Sequence, residues 1–323
     1  MIVVLILFLG SSFERILFSL SWAVLIGGFM QFFIQLPILY KNNFFPIFAN
    51  PWKIPEIRNF LFLVGPTALS IGVLQINVLV DRVLASFLSI GSISYLYYAN
   101  RLVQFPHALI SIAVTTVAFP LLSEEKGKDK RSHSKETLSK SSEILLSVAI
   151  PASIGLIILA IPIIELLFQR GEFTSYDVLS SARTLQAYSF GIVFFGINRL
   201  IVSAYHAVLD AKYPMKCAYY TLLANIIFSL LLVYPFGYTG IAFATSMSSF
   251  LNFLLLTRKT SVLKSRVSLP NYFLIARKFF FPAFIMTIVL FLIHTFFWED
   301  MELLLHKILF LSFEIIISVI LYF

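Results

Sequence analysis

With 323 residues, 59% of them hydrophobic and only 12% charged, this chain sits far from soluble domains, in which about 25% of residues are charged. That composition excludes a soluble protein, and a single cysteine, Cys217, excludes a disulfide framework and a cysteine-based metal site. The net charge of +8 fits basic cytoplasmic loops of a membrane protein better than nucleic-acid binding.

Residues 1–10 form an apolar run too short to span a bilayer. The run lacks the basic flank and cleavage site of a signal peptide and reads as the tail of a helix whose first half is absent. Nine membrane-length apolar stretches follow, at 16–39, 60–88, 93–123, 144–168, 181–209, 214–235, 238–257, 279–298 and 303–323. The predicted fold class is all-α: a polytopic membrane helix bundle of about nine spanning helices plus a partial N-terminal one.

Between the spans, the largest polar insert is 124–142. It carries both charge signs and no interleaved aromatic residue, so it reads as a solvated loop and not as a single-strand nucleic-acid binder. A second basic loop, 258–271, separates the last two helices from the rest and is suited to contact anionic membrane lipids. The loop charges also give an orientation. Alternate loops at Lys41–Arg58, Lys126–Lys140, Lys212–Lys216 and Arg258–Lys278 hold 17 Lys and Arg, whereas the opposite side holds four: Arg15, Arg170, Arg183 and Lys307. The basic side is expected to be cytoplasmic, which makes the C-terminus cytoplasmic and the first full span run inward.

A weak internal repeat pairs Trp22-Ala23 and the 27–32 segment with Phe243-Ala244 and 248–253 at constant offset. Both copies carry small residues that let helices approach closely, and repeated bundles are a common transporter plan.

Enzymatic chemistry finds little support. None of the five histidines has a second ligand at metal-binding spacing, and no nucleophile elbow, Walker loop or dinucleotide fingerprint occurs. Glu172, Asp177, Glu299, Asp300 and Glu302 lie in two separate outer loops without a motif. The expectation is therefore a protein that is not an enzyme and has no cofactor or resident metal.

Charges inside the spans say more. Arg101 lies about nine residues into its helix, at a depth where an arginine costs about 2.5–3.5 kcal/mol on insertion scales. Such a residue faces a protein interior or a water-filled cavity where an anion can meet it. Arg199 is a second candidate for binding, although its reach also suits a structural role by snorkelling. Asp81, beside Arg82, has two readings. It pairs with Arg101 on the next helix, or it joins Asn225 and Thr245 as oxygen ligands for a coupling sodium ion or proton. Pro151, Gly155 and Pro162 in one span, and Pro106 and Pro120 in another, predict kinks.

Several ordered motifs then resemble one family. Gly91-Ser92-Ile93-Ser94-Tyr95-Leu96-Tyr97-Tyr98-Ala99-Asn100-Arg101-Leu102-Val103-Gln104-Phe105-Pro106, with Phe119-Pro120-Leu121-Leu122-Ser123, is similar to the MurJ/MviN lipid II flippases. So are Leu167-Phe168-Gln169-Arg170-Gly171-Glu172-Phe173-Thr174, Ala187-Tyr188-Ser189-Phe190-Gly191, Ala204-Tyr205-His206-Ala207 with Asp210 and Pro214, and Gly240-Ile241-Ala242 with Asn252. The resemblance covers 16–260; beyond it only the helix count fits.

The resemblance implies a two-lobed multidrug/oligosaccharide-lipid/polysaccharide exporter fold, with two six-helix lobes and a terminal helix pair. Residues 1–39 would then be a remnant of the first lobe, 60–258 the second lobe and 272–323 the terminal pair. It implies a bacterial inner-membrane transporter that moves lipid II, a polyprenyl diphosphate carrying a sugar–peptide head, by alternating access during peptidoglycan assembly. Arg101 matches the family's cavity-facing arginine, with Asn100 standing where the family has aspartate, and the terminal pair would line a groove for the polyprenyl tail. The absent first-lobe helices imply a truncated frame, a decayed gene or half of a split protein with a separately encoded N-terminal lobe as partner. The alternatives are a polysaccharide-lipid or drug exporter of the same superfamily, and a non-transporting membrane scaffold remnant.

Overall fold

A computed structural model describes residues 13–42, 55–124, 130–208, 210–258, 270–297 and 304–322. The apolar run at 1–10, the acidic residues Glu299, Asp300 and Glu302, and most of the basic loop 258–271 lie outside the described residues. Helix is the only regular secondary structure among the described residues, with α1 Phe13–Lys41, α2 Pro55–Ser86, α3 Ser92–Glu124, α4 Lys130–Ile158, α5 Ala160–Phe168 and α6 Ser175–Ser189. These are followed by α7 Ile192–Ala207, α8 Lys212–Arg258, α9 Tyr272–Lys278, α10 Phe280–Phe297 and α11 Leu304–Tyr322. Helices dominate because lipid offers no partner to a backbone N–H or C=O, so each must be satisfied within its own segment.

Residues 1–59 and 60–323 form two compact units. In the first, α1 carries large apolar side chains, Phe18, Phe29, Phe33 and Ile38 among them.

The nine predicted spans all fall on helix, to within a residue or two at their ends, but their punctuation differs. The 144–168 span is two helices, α4 and α5, broken at Leu159 (φ −90°, ψ 17°). Pro162 has no N–H with which to continue the ladder, so the backbone bends just before it. Conversely, α3 runs unbroken through Pro106 and Pro120. The 181–209 span is the pair α6–α7, bent by 41°. The polar insert 124–142 is helical from Lys130, as an extension of α4 beyond its apolar part, with a Lys140–Glu136 pair at 2.7 Å on its surface. Leu138 and Ser142 are fully buried in this extension, so it packs against the bundle rather than standing free as a loop.

The 47 residues of α8 are a folded hairpin. Asn225 Nδ2 lies 3.3 Å from Ser248 Oγ, whereas 23 residues of straight helix would separate them by about 34 Å. The fold-back occurs at Pro235-Phe236-Gly237, where Gly237 takes φ +58° and ψ −136°, a combination open to glycine. Three residues on, a Cβ at Gly240 would sit 2.2 Å from the Leu232 carbonyl oxygen, so only glycine lets the two arms meet this closely.

The core lies among α3, α4, α6, α7 and α8, around Leu145, Leu185, Leu200, Ile201 and Tyr205. Lipid tails are as apolar as leucine, so small residues and polar contacts contribute much of the cohesion. Asn198 Nδ2 on α7 donates to the Ser249 carbonyl at 2.8 Å, Ser246 Oγ to the Ala187 carbonyl at 2.7 Å, and the Tyr205 hydroxyl to the Leu256 carbonyl at 2.9 Å. The terminal helices have a small core of their own, in which Ala283, Met286, Leu290 and Tyr322 pack on Leu159 at the helix break. Ion pairs Lys278–Glu143 and Lys307–Glu165 tie this terminal pair to α4 and α5.

Candidate functional site

The site lies where α2 and α3 are joined by the turn 87–91. Gly91 there takes φ +96°, and the Ser92 hydroxyl donates to the Ser89 carbonyl at 2.7 Å to start α3. Beyond the turn, α2 and α3 flank a cavity of about 530 Å³, lined by Gln75, Val78, Asp81 and Arg82 from α2, by Ile93–Gln104 side chains of α3, and by Tyr188 of α6. Arg101 lines this cavity with an exposed side chain, and its guanidinium lies 5.1 Å from the centroid of the Tyr97 ring. Among the described residues no carboxylate lies within ion-pairing distance of Arg101 or Arg82. Arg101 and Arg82 therefore line one chamber with their N–H forks available to an external anion. Asn100 lines the same cavity, where it accepts from Gln104 Nε2 at 2.6 Å and reaches the buried Tyr188.

Asp81 is 8% exposed, and its Oδ2 accepts from the Thr245 hydroxyl at 3.1 Å. Its partner is thus Thr245, and the alternative pairing with Arg101 is not formed. The single Thr245 proton has a competing acceptor in the Ile241 carbonyl at 3.2 Å. Asn225 Nδ2 lies 3.3 Å from Thr245 Oγ1, and Ser229 Oγ lies 3.5 Å from Asn225 Oδ1. The three residues grouped from sequence are therefore in one chain of contacts between α2 and the two arms of α8. Asp81 Oδ1 is buried without a hydrogen-bond partner. One carboxylate among neutral oxygens is a donor set that fits a hard monovalent cation.

Arg199 lies elsewhere. It is exposed on α7, close enough to His107 of α3 for their charges to interact, and does not line the Arg101 cavity. Arg82, Gln104 and Tyr188 were not selected from sequence; the available signal for Arg82 was its place inside a span. A separate apolar groove of about 690 Å³ runs between α3, α4, α5 and the terminal pair, with Leu102, Phe105, Leu156, Met286, Leu311 and Ile315 among its walls.

Bent and broken membrane helices around a polar chamber define a multi-pass membrane protein with a transporter-type fold. A multidrug-resistance transporter of the MATE family, described as outward-facing and of the MOP superfamily, shares that fold at a TM-score of 0.50 and 15% identity, over 72% of this chain and 53% of that one. A solved structure described as lipid II flippase MurJ in an inward closed conformation matches at a TM-score of 0.71 and 30% identity, over 96% of this chain and 62% of that one. The family model described as "Lipid II flippase MurJ" matches residues 1–311, and the chain belongs to that family. A "Probable lipid II flippase MurJ" of Buchnera aphidicola subsp. Acyrthosiphon pisum is 37% identical over 252 residues, which are 78% of this chain and 49% of that protein. The chain spans about half the length of the curated relatives it matches.

Proposed function

We propose that the chain moves lipid II across the bacterial inner membrane by alternating access, with the diphosphate held at Arg101. The observation that carries this reading is the cavity in which Arg101 and Arg82 present two guanidiniums, unpaired with any described carboxylate, beside Asn100 and Gln104. A guanidinium offers paired N–H donors that match phosphoryl oxygens, and a diphosphate has oxygens enough for two such forks. The apolar groove beside α3 suits the polyprenyl tail.

Sodium is the coupling ion in this reading, and a proton is its alternative. Asp81, Asn225 and Thr245 supply the oxygens, and the unpartnered Asp81 Oδ1 supports a cation at that point. The C-terminus faces the cytoplasm, as the 17-to-four loop charge bias favours. Complementation of a flippase-depleted bacterium by the frame encoding this chain tests the site. Arg101→Ala is expected to abolish rescue and Arg101→Lys to retain part of it, since lysine keeps the charge without the fork. Unimpaired rescue by Arg101→Ala would remove the diphosphate from Arg101.

A further inference from the structure

A second cavity, of about 580 Å³, adjoins the first and takes up the Leu167–Thr174 motif, which the diphosphate site leaves unused. Ser94 and Tyr98 line both chambers. Ser94, Tyr98 and Arg101 stand at i, i+4 and i+7 on one face of α3, so the second chamber opens about 10 Å along the helix from Arg101. A group attached to an anion at Arg101 is within reach of it.

Its walls have a mixed character. The Tyr98 ring stands tilted against Phe168 and edge-on to Phe173, with centroids 4.6 and 5.6 Å away, and the three rings form an aromatic wall in which Tyr98 remains partly exposed. Gly171, at φ +60°, turns the chain between Arg170 and Glu172 so that both line the chamber. Asp177 is occupied: its carboxylate accepts from the Tyr95 hydroxyl at 2.5 Å and caps α6 through Thr174. Arg170 is exposed and donates from Nη2 to the Leu167 carbonyl at 3.1 Å, and its other guanidinium N–H groups have no partner among the described residues. Glu172 is exposed and forms no hydrogen bond among the described residues, so its oxygens are free acceptors. An aromatic wall flanked by an acceptor and a donor suits a hydroxyl- and amide-bearing ring: its C–H groups pack on the aromatic side chains and its O–H and N–H groups bond at the edge.

We propose that this second chamber seats the saccharide of the substrate, an N-acetylated, hydroxyl-rich sugar joined to the diphosphate at Arg101. The proposal rests on the flippase reading, and two ligands separate them. Binding of lipid II and of undecaprenyl diphosphate, which has no sugar, is measured on the chain in lipid nanodiscs. Glu172→Ala is expected to weaken lipid II about tenfold and to leave undecaprenyl diphosphate unchanged, whereas Arg101→Ala weakens both. Unchanged lipid II affinity in Glu172→Ala, or an equal loss for both ligands, overturns the sugar site while the diphosphate reading stands. If the unmutated chain binds neither ligand, the flippase reading itself fails, and the sugar site with it.

Discussion

At Asp81 one carboxylate oxygen accepts from Thr245 while the other is buried without a partner. A buried acceptor left this way is costly unless a proton or a cation meets it. Asp81→Asn keeps the size and the contact with Thr245 but removes the charge that would attract sodium. The melting temperature of the purified protein is expected to rise by about 2–4 °C when sodium chloride replaces choline chloride, and this rise is expected to vanish in Asp81→Asn. A shift of the same size in the variant would take Asp81 out of the ion site. Arg101, Asp81, Asn225 and Thr245 were legible in sequence because a polar group in an apolar run stands out in one dimension, and depth alone pairs groups on different helices. Arg82 was harder to read. It lies about 100° around the helix from Asp81, and only the placement of α3 turns both toward one chamber. Tyr188 gave no such signal, since a tyrosine among apolar neighbours is ordinarily a packing residue.

Among the elements, the hairpin of α8 has the least freedom. Its arms meet where Gly240 faces the Leu232 carbonyl, and a methyl group there would overlap backbone that cannot step aside. Gly240→Ala is therefore expected to destabilise the protein by about 1–3 kcal/mol, read as a lower melting temperature, and to disturb the approach of Asn225 to Thr245. An unchanged melting temperature would mean that the arms separate freely. The two arms were predicted as separate spans, 214–235 and 238–257, from membrane-length apolar runs alone. The break at Leu159 was anticipated only as a kink. The helical extension at Lys130–Ser142 was missed, since charge in a membrane protein reads as loop, whereas a helix leaving the bilayer can carry charges on one face and bury Leu138 on the other.

For the molecule as a whole, orientation is open to direct measurement by cysteine labelling. Its one cysteine, Cys217, is buried and replaceable by serine. In that background a membrane-impermeant maleimide is expected to label Tyr176→Cys in intact spheroplasts and Lys140→Cys only after permeabilisation; both positions are exposed. The reverse pattern would invert the topology and place the Arg101 cavity's turn end toward the cytoplasm. The fold class was legible throughout, because hydropathy reports the surrounding solvent directly. The cavity walls were not, because they depend on helix rotation and tilt, which hydropathy does not encode.

The short helix α5 acquires a structural meaning from its two ends. At one end Leu159 is locked into the small core of the terminal pair; at the other Phe168 rests on Tyr98, three residues from Arg101. Ile163, Leu166 and Leu167 in between form part of the apolar groove wall. Nine residues of helix behave as a rod about 13 Å long. Set at an angle to α4 by the break at Leu159, this rod spans from the groove to the ring beside the arginine.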